Sequence, residues 1–370
     1  MILLTILVFI FILGLLIFVH EVGHFVMAKR AGMRVEEFGF GFPPRMFGIK
    51  RGETIYSINL IPLGGFVKIT GEDGRSDDPR AFVNKGFWPR FSTLVAGVAM
   101  NFLLGWFLLF LGFAAIGTPT EIAEGVQLQA RSISSPQIGI IAVQKDTPAE
   151  YAGFKVGDII LNLDGRKFES VEELIAYNKA RAGFEVVYEL KRGKEIITRT
   201  VTPRPNPPAD SGPVGFAPVK IANATYPFFK ALGLSLTAFA DRVAGITQAF
   251  GMLIKNLFVS GKLIEGLAGP VGIAVLTRDF TQLGAVYLVQ FIAVLSINLA
   301  VINVFPFPAL DGGRVLFLLV EKVRGARSIK WEQVANAIGF LLLILLMVAV
   351  TFRDVNRFSE QFKRLFERIF

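Results

Sequence analysis

From Ile2 to Val19 the chain runs eighteen residues without a charge, and the next five read His20-Glu21-Val22-Gly23-His24. As a helix that run is about 27 Å long at 1.5 Å per residue, close to the thickness of a bilayer's hydrocarbon core. It continues to about Met27, has no basic leader, and shows no small-x-small cleavage site ahead of the histidines, so it does not read as a signal peptide. A retained transmembrane helix is the expectation. The composition agrees, since 52% hydrophobic residues with 36 Phe is more than a soluble domain needs.

These are the only two histidines in the chain, and there is no cysteine. Positions i and i+4 share a helix face, so His20 and His24 can offer two imidazole nitrogens to one cation with Glu21 beside them. H-E-x-x-H fixes only three letters and arises by chance in soluble helices. Here it lies in an uncharged span, where each unpaired charged group costs about 2 kcal/mol or more, and that favours a metal. Zinc takes nitrogen and oxygen ligands tetrahedrally and, in a catalytic site, leaves one position for water. Glu21 is then the general base. Without cysteine or a third histidine, the remaining ligand must be an oxygen, and disulfides, iron-sulfur clusters and Cys-ligated zinc are excluded.

The stretch from Lys29 to Arg90 carries eleven Lys or Arg, which places it on the cytoplasmic side and the N-terminus outside. His20 lies nine residues before Lys29, about 13 Å below that surface. The net charge of +9 is spread among apolar spans rather than gathered with aromatic platforms, so it reads as membrane-facing and not as a nucleic-acid site. The predicted order begins with span one over 1–28 and a cytoplasmic-side region over 29–90. Short β runs (35–40, 54–60, 66–70) and a polar loop (71–80) make up that region. Span two covers 91–117, with Asn101 expected to hydrogen-bond a neighbouring helix. A soluble α+β insert occupies 126–203. A Pro-rich linker and an amphipathic surface helix fill 204–283; within Pro227–Lys262 the longest uncharged run, Val243–Ile254, is too short to span. Span three covers 284–305, a cytoplasmic-side loop 306–332, span four 333–352, and an amphipathic tail 353–370. Four spans return that tail to the outside.

The oxygen ligand is sought near span three. The segment Asn298-Leu-Ala-Val-Ile-Asn303-Val-Phe-Pro306-Phe-Pro308-Ala-Leu-Asp311-Gly-Gly313-Arg314 breaks its own helix with two prolines and then sets an aspartate before two glycines. Irregular backbone at membrane depth is tolerated only where protein or a watery cavity surrounds it, which is also where a hydrolytic metal must sit. Asp311 is the candidate, against a helix cap or an Arg314 partner. Asp241 and Glu265 fall on the outer side.

Two resemblances follow from these residues. The insert contains Asp146-Thr-Pro-Ala-Glu-Tyr-Ala-Gly-Phe-Lys-Val-Gly-Asp158 and resembles a bacterial PDZ domain, with Gly139–Ala142 as the peptide-binding loop and strand. It either captures a peptide carboxylate or acts as a spacer or size filter. H-E-x-x-H in span one with Asn-x-x-Pro-x-Pro-x-Leu-Asp-Gly in a later span resembles the site-2 protease family of intramembrane zinc metalloproteases, in its bacterial branch; Gly269-Pro-Val-Gly272 fits as well. That resemblance covers nearly the whole chain. It implies a polytopic α-helical membrane protein with four spans, a membrane-reentrant β-hairpin and a PDZ-like insert. It implies zinc on His20, His24 and Asp311, catalysis by Glu21, and substrate binding by Asn303 with Asn298. It further implies cleavage within transmembrane segments of pre-trimmed single-span proteins, in a bacterial cytoplasmic membrane, with the site toward the cytoplasm and the PDZ-like insert outside. The single PDZ-like insert departs from the two of the sigma-E enzyme.

Overall fold

The computed structural model describes residues 2–72, 74–122, 129–208, 211–260, 268–325 and 329–357. Glu265 and residues 358–370 of the predicted tail lie outside them. Four described helices are long and apolar enough to cross a membrane. They are α1 (Ile2–Arg30), α2 (Phe87–Leu111, continued by a π turn over Gly112–Ile116), and two later helices named below in chain order. Each begins or ends within a few residues of the predicted span. The chain divides into two compact units, one of residues 1–108, 237–278 and 291–370, the other of 109–236 and 279–290.

Between α1 and α2 come two long strands, β1 (Val35–Arg51) and β2 (Thr54–Ile69). The predicted short runs are right in place but too short, because both strands bend and continue. Phe38 is partnered by both Val67 and Tyr56, and Arg45 to Arg51 fold back onto Asn59 to Thr54. The ribbon therefore has four rows, ordered 65–69, 35–40, 54–61 and 45–51. Its two outer rows, 65–69 and 45–51, have no second ladder partner among the described residues. Phe42, Met46, Phe47, Ile49, Ile58 and Leu60 are exposed on the ribbon.

The second unit holds a sheet of β3 (Thr118–Glu121), β4 (Ser132–Ile133), β5 (Gln137–Val143), β6 (Ile159–Leu163), β7 (Val186–Arg192), β8 (Glu195–Val201) and β9 (Phe216–Thr225). The strand order is β3-β9-β5-β6-β7-β8, with β4 also on β9. Two helices accompany it, α3 (Pro148–Tyr151) and α4 (Val171–Ala180). Their starts are written locally: the side chains of Thr147 and Ser170 accept from the backbone N–H groups of Glu150 and Glu173. Ile138, Ile140, Leu163, Leu174, Tyr188 and Leu190 form the core.

This sheet overruns the predicted insert. β3 precedes residue 126, and β9, in the middle of the sheet, falls where a linker was expected. Residues 216–225 carry Pro218 and three alanines, poor strand formers, so little in them announced a strand. The suggested peptide stretch Gly139–Ala142 belongs to β5, which is hydrogen-bonded to β9 on one side; on the other side the described pairing with β6 and the residues before it runs only as far as Ile140.

After β9 come α5 (Phe228–Ser260), α6 (Pro270–Leu283), α7 (Ala285–Val304), α8 (Asp311–Arg324) and α9 (Ile329–Arg357); α7 and α9 are the third and fourth candidate spans. α5 is the helix expected on the surface, and α9 runs on through Arg353, where the tail was expected to begin. The Gly269–Gly272 motif is explained by Asp354 of α9, buried to 1% exposure, whose Oδ2 accepts from the N–H groups of Gly269 and Gly272 at 2.8 and 2.7 Å. A Cβ on either glycine would press on that carboxylate.

Candidate metal centre

The site lies wholly in the first unit, and close packing of α1 on α2 builds it. A Cβ on Gly23 would run into the Ala96 carbonyl, and one on Gly97 would run into both histidine rings. Glycine at these two positions lets the helices approach until the imidazoles lie against the α2 backbone. Thr93, Gly97 and Asn101 stand at i, i+4 and i+8 on one face of α2. His24 Nδ1 is 2.8 Å from the Thr93 carbonyl, and His20 Nδ1 is 3.2 Å from Asn101 Nδ2. Asn101 thus bonds a neighbouring helix, as expected, and its partner is His20.

Asp311 arrives from the far end of the chain. Pro306 and Pro308 end α7, Ala309 takes φ 74°, and its N–H donates to Asn336 Oδ1 of α9 at 3.0 Å. α8 then starts at Asp311 itself. Gly312 and Gly313 pass against the carbonyls of Val304, Phe305 and Phe307, where a Cβ has no room. The proline and glycine pattern thereby turns the chain so that Asp311 faces α1.

The three predicted ligands meet. His20 Nε2 and His24 Nε2 are 3.1 Å apart, and Asp311 Oδ2 lies 3.1 and 3.4 Å from them. Distance alone would pair that oxygen with the imidazoles, but it is buried with no aligned hydrogen-bond donor. Among the described residues no other group of three His, Asp or Glu side chains comes together in this way. Ligands bonded at 2.0–2.1 Å in a tetrahedron stand about 3.3 Å from one another, so the triangle has the size of one face of a zinc shell. The residues fit the metal.

The centre opens on a cavity of about 580 Å³, lined by His20, Glu21, His24, Asp311 and residues 65–69 of β2. A Cβ at Gly65 would sit 3.2 Å from Glu21 Cγ, so this glycine brings the outer row of the ribbon against the glutamate. Arg314 is paired with Glu72 at the rim. Asn298 and Asn303 stand half-buried on α7 and are not among the cavity's lining residues. Gly23, Thr93, Gly97 and Gly65 were missed from the sequence. The four-residue rhythm Thr93, Gly97, Asn101 was the one available signal.

Comparison with known proteins gives the same picture. Peptidase family M50 matches residues 8–346. A putative zinc metalloprotease of Clostridium acetobutylicum is 36% identical over 346 residues, covering 92% of this chain and 94% of that one. One from Clostridium perfringens is 33% identical, covering 92% and 95%. The regulator of sigma-W protease RasP of Bacillus subtilis is 28% identical, covering 95% and 98%. A PDZ domain of an SdrC-like protein from Listeria monocytogenes matches 25% of the chain and 90% of its own at 22% identity and TM-score 0.20, too slight a likeness to bear on the fold. The match along almost the entire chain, together with the meeting of H-E-x-x-H and Asp311, shows that this chain belongs to peptidase family M50, the site-2 proteases.

Proposed function

We propose that the chain is a zinc endopeptidase that hydrolyses peptide bonds inside transmembrane segments of single-span proteins already trimmed by another protease. The observation that carries this is the triangle of His20 Nε2, His24 Nε2 and Asp311 Oδ2, with a buried carboxylate oxygen that has no donor. These three residues hold the zinc. When bound, the ion polarises the scissile carbonyl and acidifies water. Glu21, on the cavity side of α1, takes the proton from the attacking water and returns it to the leaving amine.

A transmembrane helix hides its amides in i to i−4 bonds, so the substrate must unwind before it reaches Glu21. The unpaired row 65–69 offers a place for the unwound stretch to add as a strand, held beside Glu21 by Gly65. Asn303 is assigned to the substrate backbone or its developing oxyanion, with Asn298 supporting it, on the family motif alone. In the sheet unit a peptide carboxylate is assigned to β9 at 216–219. This stretch pairs only with β5 among the described residues. Anti-sigma factors, as the name of the Bacillus relative suggests, and leftover signal peptides are the substrate classes. The membrane is the bacterial cytoplasmic one, with the metal toward the cytoplasm and the sheet unit outside.

The test is Glu21→Gln in the full chain, reconstituted with a transmembrane reporter. Cleavage is expected to fall by about 10²- to 10⁴-fold while zinc content stays at that of the unsubstituted protein; turnover at the unsubstituted rate removes Glu21 from the mechanism.

A further inference from the structure

We propose that Asn101 is a positioning residue: its side-chain carbonyl accepts the Nδ1 proton of His20 and thereby leaves the His20 Nε2 lone pair facing Asp311 and His24. This rests on the zinc reading above and adds a residue of α2 to the centre.

A neutral imidazole has one N–H, and whatever its far nitrogen meets decides which nitrogen carries it. For His24 the matter is settled by backbone. The Thr93 carbonyl at 2.8 Å can only accept, so Nδ1 carries the proton and Nε2 is bare. His20 is held from the same face of α2, two turns on, by a group that can either donate or accept. With the Asn101 amide nitrogen toward the ring at 3.2 Å, Nδ1 would have to accept, and the proton would move to Nε2. That proton would then occupy the middle of the triangle, pointing at His24 Nε2 or Asp311, and no cation could enter.

The amide's nitrogen and oxygen have the same shape, and turning the group over exchanges them without moving another atom. Asn101 is completely buried, and its Oδ1 has no hydrogen-bond partner while it points away from His20. That outer position costs about 1–3 kcal/mol whichever amide atom fills it, so the orientation is decided at the His20 end. Turned over, Oδ1 meets the His20 N–H, and both rings present bare Nε2 atoms 3.1 Å apart beside a carboxylate oxygen. Three lone pairs at that separation repel unless a cation joins them. The residue is also fixed in place: Ser296 Oγ of α7 donates to the Asn101 backbone carbonyl at 2.7 Å. Across metal sites, such partners of a ligating histidine govern affinity by about 10- to 100-fold.

The test measures zinc affinity by chelator competition on the purified full chain, with the cobalt-substituted absorption spectrum as a second readout. Asn101→Leu keeps the volume and removes the acceptor; Asn101→Asp keeps an acceptor and removes the donor. The leucine variant is expected to bind zinc about 10- to 100-fold more weakly and to alter the cobalt bands. The aspartate variant is expected to stay within a few-fold of the unsubstituted protein with its bands unchanged. Equal affinity in the leucine variant, or an aspartate variant as weak as leucine, overturns the acceptor role while the zinc reading stands. An unsubstituted protein that holds no stoichiometric zinc overturns both.

Discussion

In the sheet unit the interior is apolar, built on Leu163, Leu174, Tyr188 and Leu190, and its buried Asp158 and Asn178 are matched. Asp158 accepts from the Lys155 N–H and from both arms of Arg192 at 2.6 Å, and Asn178 takes the Tyr188 hydroxyl. The unit that carries the spans has an apolar cluster of its own, around Met33, Phe82, Leu94 and Leu318, but it also exposes long apolar rows and buries more polar side chains. Along α9, Phe340, Leu341, Leu342, Leu345 and Val348 are exposed, while His20, Arg90, Thr93, Asn101, Ser296 and Asp354 are buried. An outer surface in lipid needs no apolar core beneath it, so the interior is free to be polar, provided each polar group finds a partner. Arg90 finds Glu321 at 2.6 Å, and Asp354 finds two backbone N–H groups. Asp311 Oδ2 finds none. Set beside Asp158 and Asp354, Asp311 is the aspartate whose buried oxygen has no aligned donor and faces two imidazole nitrogens.

The contrast can be broken most sharply at Asp311 itself. Asp311→Ala is expected to abolish zinc retention and cleavage together, read by metal analysis and a reporter assay; zinc held at full stoichiometry would return Asp311 to the class of Asp354. Glu21→Gln should cost about 10²- to 10⁴-fold in turnover with zinc unchanged, because it removes a proton carrier and no ligand. Gly97→Ala places a methyl against both histidine rings, and metal content is expected to fall although no polar atom is lost; an unaffected variant would mean that α1 and α2 can part without disturbing the centre. In the sheet unit, Asp158→Ala strands Arg192 and should destabilise that unit by about 3–5 kcal/mol, seen in denaturant unfolding, with zinc content unaltered. Smallest is Asp354→Asn, whose remaining oxygen can still accept from both N–H groups but without the charge, and which should cost about 1–3 kcal/mol of unfolding stability while zinc stays bound.

The centre was legible to an unusual degree because its chemistry is scarce. With two histidines and no cysteine in 370 residues, the ligand set could be reduced to one oxygen, and Asp311 stands where a broken helix had to be enclosed. The spans were equally plain, since an uncharged run of about twenty residues has few other uses. Contacts that depend on close approach rather than on side-chain type were not legible. Gly23 and Gly97 look like any helical glycine until the partner backbone is beside them. β9 reads as the end of a linker, and Asn101 as a generic polar residue in a span. How much of the suggested peptide strand at Gly139–Ala142 is already paired was not legible for the same cause: hydrogen-bonding patterns in a sheet belong to pairs of strands, and one strand does not reveal whether its edges are taken.

Taken alone, the sequence determined which atoms could bind a cation, that the first two share a helix face, and that the chain crosses a bilayer. These follow from local periodicity and from the cost of charge in hydrocarbon. Only the tertiary structure decided that Asp311, 287 residues beyond His24, closes the triangle at 3.1 to 3.4 Å, that α2 supplies a backbone carbonyl and an amide behind the two rings, and that row 65–69 is the unpaired edge beside Glu21. The reason is that ligand spacing and strand edges are set by how closely two backbones pack, and that distance is written in no single segment of the chain.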